Sequence, residues 1–205
     1  MNDFFKAIRS YLTEYLPKQK CCSEHTVRAY KLALNLFVSY LRKVKGLSVK
    51  KINFDSINRD VVLGFLDWIE TVRGCSASTR NHRLMVLRSF LSYAGVIDCT
   101  HVFVGIDVAS VPIKKTKEAV VPYLSETALQ AFLKQPNITK RKELRDLFFM
   151  VLMYDTAARC NELLVMTIKD LRLKINNPIS YLHGKSRTPV RSISLLSPIA
   201  IVHGL

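Results

Sequence analysis

"SEHTVRAYKLALNLFVSYL" (residues 23–41) decides how the first half of this chain folds. Ser23 is a helix N-cap residue. Val27, Tyr30, Leu34, Phe37, Val38 and Leu41 then recur at helical spacing, so one face is apolar, and the stripe ends at Gly46. A second stretch, "SASTRNHRLMVLRSFLSYA" (76–94), repeats the design and turns Leu84, Leu87, Phe90 and Leu91 inward. Before them, Phe5, Ile8, Leu12, Tyr15 and Leu16 mark a first helix, with Pro17 near its end. Between them, Val61, Phe65, Trp68 and Ile69 mark another that runs to Gly74. Four helices with short connections predict a small bundle.

Both capped helices also carry polar side chains suited to nucleic acid. The first offers Thr26, Arg28 and Lys31; the second offers Thr79, Arg80, Asn81, Arg83 and Arg88. Hydroxyls, amides and guanidiniums near helix N-termini are the groups that phosphate and groove-edge contacts use. An ordinary solvated face explains any one of them equally well, but explains the set less well.

The charge balance points the same way. Thirty-one lysines and arginines against 16 acidic residues give a formal net charge of +15 over 205 residues. Residues 1–108 hold 16 basic and 9 acidic side chains, and the remainder 15 and 7. The excess is therefore spread along the chain, which suits an extended polyanion better than it suits a single tail. Each neutralised phosphate releases condensed counterions. A basic surface kept for solubility is the weaker alternative. The longest apolar run, "LFFMVLMY" (147–154), has eight residues, far short of the ~20 that a membrane span needs. No secretory h-region opens the chain, so a soluble, cytoplasmic protein without membrane contact is expected. The five cysteines show no metal-ligand spacing and read as reduced, mostly packed thiols; neither metal nor cofactor is expected.

"IDVASVPIKKTKEAVVPY" (106–123) has two prolines and no clear period. It reads as an interdomain linker over 109–123, with Lys114 and Lys115 placed to cross nucleic acid. The division expected is thus a helical domain over 1–108 and a second domain over 124–205. Ser125 caps a helix there, and another runs from about Lys140 to Tyr154. Beyond Lys169, "LRLKI", "ISYLHG" and "RSISLL" alternate like strands of a small antiparallel sheet.

"DTAARCNELL" (155–164) places Arg159 where a helix would begin, with Glu162 three residues on. Such an arginine can fork onto a phosphate beside helix N-terminal amides while the glutamate orients it. Taken alone, the segment reads as a structural Arg–Glu pair at a domain edge. The wider sequence alters that reading. The segment resembles the first catalytic-arginine box, T-G-x-R-x-x-E-L, of the tyrosine recombinases, the phage integrase family. "HGKSRTPVRSISL" (183–195) resembles the family's β-hairpin with its catalytic lysine, and the stretches at 23–41 and 76–94 resemble the two signature helices of its core-binding domain.

The resemblance implies a mainly α chain: an N-terminal SAM-like core-binding bundle, then a partial α+β catalytic domain. Together they would form a clamp on double-stranded DNA, with other recombinase protomers bound alongside. By position, Arg159 would hold the scissile phosphate, Glu162 would support it, and Lys185 would act as general acid toward the departing 5′-hydroxyl. Gly184 would turn the hairpin, and Arg191 would contact DNA. Ala157 and Ala158 stand where the family has a Thr-Gly-like turn, and Ser186 replaces the hairpin's second glycine.

The family places a His-x-x-Arg box and a nucleophilic tyrosine after the lysine. Residues 186–205 contain neither, and "HTVR" (25–28) matches the box only by letter, inside a DNA-binding helix. The expectation is a truncated, catalytically incomplete site-specific recombinase. The alternative is a non-catalytic DNA-binding protein that competes with an intact integrase. A helical protein-interaction module accounts poorly for the +15 charge.

Overall fold

The structure is a computed structural model that describes residues 2–116, 122–172, 179–182 and 191–194. It divides into two compact units, Met1–Ala119 and Val120–Leu205.

The first unit is helical. Helix α1 (Asp3–Ser10), capped by Asn2, runs straight into a π-helical stretch, Tyr11–Gln19. Pro17 lies inside that stretch, where the sequence suggested a helix end. A proline has no N–H to donate and its ring crowds the carbonyl four residues back. The wider winding accommodates it, and the amide of Lys20 bonds to Tyr15 O, five residues back. Helix α2 (Glu24–Lys43), α3 (Arg59–Thr71) and α4 (Ala77–Ile97) follow, capped by Ser23, Asn58 and Ser76. A 3₁₀ turn (Cys99–His101) leads into α5 (Val102–Ala109).

One apolar core joins these helices. Phe4 meets Phe90 edge to face with ring centres 5.6 Å apart, and Phe37 meets Phe65 in the same way at 5.1 Å. Edge-to-face packing sets positive ring edges against negative ring faces. Tyr11, fully buried, donates to Ser89 Oγ at 2.8 Å, and burial pushes its phenol well above the ordinary tyrosine pKa. Gly64 on α3 lets Tyr40 of α2 approach: a Cβ at Gly64 would stand 2.6 Å from the Tyr40 hydroxyl oxygen.

Helix α5 and the residues after it correct the expected linker. Val108 and Val111 are buried in the first unit's core, and the backbone from Ala109 to Lys114 is bonded to α4 by side chains detailed below. The linker's first half is thus fastened to the helical unit.

In the second unit, Ser125 caps α6 (Glu126–Leu133), followed by α7 (Arg141–Thr156) and α8 (Cys160–Leu164). Leu152 and Leu163 pack together with Phe148, Phe149 and Met166 around them. After a 3₁₀ turn (Ile168–Asp170), backbone pairing runs antiparallel through β1 (Leu171–Arg172), β2 (Ile179–Leu182) and β3 (Arg191–Ser194). The rest of the expected strands lies outside the described residues.

Candidate nucleic-acid interface

Helices α2 and α4 begin in the same way. Ser23 Oγ accepts from the Thr26 amide and Ser76 Oγ accepts from the Thr79 amide, each at 3.3 Å. The threonine hydroxyls lie 3.0 and 3.1 Å from those cap oxygens. Each cap satisfies an amide that would otherwise be orphaned and leaves the remaining first-turn amides at the helix end.

The N-terminal parts of the two helices also meet. The ring of Tyr30 on α2 stands edge-on to His82 on α4, with centres 6.4 Å apart. Around this junction Arg28, Lys31 and His82 are exposed and Arg83 is half-buried. Arg28, Lys31 and Arg83 enter none of the ion pairs among the described residues. Arg83 Nε is buried without a hydrogen-bond acceptor. Sequence reading does not single out His82; its place one residue before Arg83, one turn beyond the Ser76 cap, is the available signal.

Three other expected contacts do different work. Arg80 is 2% exposed, and its Nη1 donates to Pro112 O at 3.3 Å and to Asn81 Oδ1 at 3.4 Å. Its Nε faces Glu70 Oε2 at 3.4 Å, close enough for an ion pair but off hydrogen-bond geometry. Arg88 Nη2 donates to Ala109 O at 2.8 Å and also to Val111 O. Asn81 brackets the backbone of Lys114: its Nδ2 donates to Lys114 O at 2.7 Å, and its Oδ1 accepts from Lys114 N at 3.0 Å. Lys114 Nζ closes the set on Glu70 Oε2 at 2.6 Å.

The phosphate role expected of Arg80 is thereby corrected to an internal one, because its guanidinium is enclosed beside a carboxylate. Arg88 and Asn81 likewise hold the chain from Ala109 to Lys114 against α4. Glu70, which no sequence pattern marks, is the hub of this strap. Lys115 is exposed beyond it.

In the second unit, Arg159 is the N-cap of α8. Its amide donates to Glu162 Oε2 at 3.1 Å, and its Nη1 donates to Glu162 Oε1 at 3.1 Å. The arginine side chain is 83% exposed and the glutamate 15%, so the carboxylate is the fixed partner and the guanidinium reaches outward. Thr156 Oγ1 donates to Leu152 O at 2.6 Å and accepts from the Ala158 amide at 3.3 Å. Ala157, at φ +47°, is the left-handed residue that ends α7. The family's threonine position is therefore filled by Thr156, and the departure falls on Ala157 alone, where glycine would adopt that backbone freely. Lys185, Gly184 and Ser186 lie outside the described residues. Arg191 opens β3 opposite Leu182.

The five cysteines are thiols outside any disulfide, and Cys21, Cys99 and Cys160 are exposed rather than packed. Among the described residues no group of three His, Cys, Asp or Glu side chains could hold a metal, and no helix is long and apolar enough to cross a membrane.

Residues 8–95 match the phage integrase N-terminal SAM-like domain. A putative integrase/recombinase, y4rD, of Sinorhizobium fredii is 30% identical over 184 residues, covering 88% of this chain and 64% of that protein. The tyrosine recombinase XerC of Thermodesulfovibrio yellowstonii is 29% identical over 168 residues, covering 80% of this chain and 51% of that one. The chain thus spans between half and two thirds of these relatives' lengths. Among solved structures, the XerH site-specific recombinase in a post-cleavage complex with its palindromic difH substrate has a TM-score of 0.60 at 20% identity. That match covers 91% of this chain and 53% of XerH, and shows likeness of fold.

Proposed function

Because this chain belongs to the tyrosine recombinase (phage integrase) family, we infer that its first unit binds duplex DNA through the joined N-terminal ends of α2 and α4. The observation that carries this is the Tyr30–His82 junction, with Arg28, Lys31 and Arg83 beside it and in no ion pair among the described residues. Two arginines and a lysine with capped helix ends match a phosphate backbone, and the histidine can reach a groove edge. Thr26 and Thr79 orient the caps and contribute hydroxyls. Lys115, past the strap, would continue the contact, and Arg191 would add another from the second unit. DNA is the substrate class, other protomers would bind alongside, and the cytoplasm is the setting.

The second unit carries part of a phosphoryl-transfer apparatus. A scissile phosphate acquires negative charge as it is attacked, and a fixed cation stabilises that charge most when its own partner holds it in place. Arg159, held at both its amide and its guanidinium by Glu162, is built to do this. Lys185, by its resemblance, would protonate the leaving 5′-oxygen. The three-stranded pairing would be the start of the family's catalytic-domain sheet. In these 205 residues the last tyrosine is Tyr181, ahead of Lys185, and no His-x-x-Arg box follows.

The test is fluorescence anisotropy of a labelled duplex titrated with the chain over a range of salt. The Arg28→Gln/Lys31→Gln/Arg83→Gln variant should flatten the log K against log salt line by about 0.9 for each phosphate that it no longer neutralises. A variant with the parent's slope and affinity would refute the interface.

A further inference from the structure

The far end of α2 carries charge that the interface above does not use. From residue 25 to residue 54 the sequence has no Asp or Glu and seven lysines and arginines. Arg28 and Lys31 belong to the interface already described. The other five, Arg42, Lys43, Lys45, Lys50 and Lys51, crowd into ten residues where the helix ends, and all are exposed. None enters an ion pair among the described residues.

Cations at a helix C-terminus often serve its last carbonyls and its dipole. Here two of those carbonyls, of Tyr40 and Leu41, have backbone donors. The amides of Val44 and Lys45 donate to Tyr40 O, and that of Leu47 donates to Leu41 O. Gly46, at φ +69°, makes the left-handed step that closes this turn. Among the described residues, none of the five side chains takes part in a hydrogen bond or an ion pair.

The loop that presents them is also fixed at both ends. Beyond the Gly46 turn, Ile52 is fully buried and its carbonyl accepts from Asn2 Nδ2. Asn53 and Ser56 then bond reciprocally as a capping box. Between these anchors lies an open cleft of about 390 Å³ lined by Ser39, Arg42, Lys43 and Ser48 among others. Hydroxyls and cations around a concave surface suit phosphate oxygens. Its distance from the first interface is large. The 20 residues of α2 span about 30 Å, while the major groove is only about 12 Å wide.

We propose that this basic turn is a second surface for the phosphodiester backbone, taking a second duplex segment while the N-terminal ends of α2 and α4 hold the first. Its recognition is mainly electrostatic, because four of the five cations are lysines, flexible point charges that suit phosphate oxygens. The inference rests on the DNA-binding reading of the preceding subsection, and the test separates the two.

Lysine acetylation of the whole chain, read by mass spectrometry during titration with a short duplex at low salt, reports each surface. The first equivalent should protect Lys31, and only further DNA should protect Lys43, Lys45, Lys50 and Lys51. Changing Arg42, Lys43, Lys45, Lys50 and Lys51 to Gln should leave the first binding step intact. The salt slope of the later step should fall by up to about 4.5. If Lys31 is protected while the other four stay reactive at saturation, the second surface does not exist. Protection of all five lysines by the same equivalent, with the variant weakening that step, would mean one continuous surface and overturn the proposal. Reactive Lys31 throughout would overturn the first interface and this inference with it.

Discussion

Glu70→Gln tests the strap most sharply, because electrostatics alone predicts the opposite result. The substitution raises the formal net charge from +15 to +16, which by itself should tighten binding to any polyanion. The structure predicts a loss of stability instead. Glu70 Oε2 is shared by Arg80, whose side chain is 3% exposed, and by Lys114, which is half-exposed. Removing one partner of a buried pair typically costs ~3–5 kcal/mol, since a desolvated charge is left behind. The exposed Lys114 contact adds no more than ~1 kcal/mol. Glutamine keeps the shape and one acceptor oxygen, and Pro112 O still receives Arg80, so about 2–3 kcal/mol is the expected net cost. For a unit of this size that lowers Tm by roughly 10 °C. Thermal unfolding followed by circular dichroism, with protease mapping at Lys114 and Lys115 to detect a released strap, is the assay. The Glu70→Gln/Arg80→Gln double variant should recover part of the loss, because no buried charge is then stranded. An unchanged Tm in the single variant, or a double variant no better than the single, would refute the role given to this network.

Other expectations follow from single positions. Ala157→Gly should stabilise the second unit by about 0.5–1 kcal/mol, since relief of a left-handed alanine exceeds the added chain entropy; a lower unfolding midpoint would contradict this. Gly64→Ala should destabilise the first unit by about 1 kcal/mol, because the new methyl meets the buried Tyr40 hydroxyl, and urea titration reads the sign. Asp98 has its pKa lowered by the Thr100 amide first and the Thr100 hydroxyl second. Its contribution is therefore present above the ordinary aspartate range and lost as pH falls through the depressed value. Asp98→Asn should flatten the acid limb of stability against pH, and an unaltered limb would count against the assignment. Incubated with a nicked suicide substrate, the 205-residue chain should form no covalent adduct; a protease-sensitive shifted band on a denaturing gel would show a working nucleophile.

What the sequence makes legible is local periodicity with its punctuation. Ser23 and Ser76, followed by apolar residues at helical spacing, place α2 and α4 correctly because cap and stripe agree. Helix α5 is hidden: "VFVGIDVA" is apolar nearly all round, so no face stands out and its end merges with the linker. Pro17 reads as a stop because the rule against interior proline assumes α winding, and the π stretch escapes it. Arg80 misleads for another reason. It falls on the line of Leu84, Leu87 and Leu91, the buried face of α4, and that register is the available warning. Its partner Glu70 lies on a different helix, a relation that no local pattern encodes. At the second site, Arg159 and Glu162 are legible because their pairing is itself local, three residues apart across one turn. The residue that ends α7 is harder to place, because only backbone angles distinguish Ala157 from Ala158.

If the joined N-terminal ends of α2 and α4 face DNA, position 82 lies against the duplex. Replacing His82 with a photocrosslinking residue and irradiating the whole chain with one equivalent of duplex reads this contact. Val96, 84% exposed and 14 residues further along α4, serves as the comparison site at about 21 Å along the helix. Position 82 should give a protein–DNA crosslink and position 96 none. A crosslink from position 96 with none from position 82 would contradict the interface.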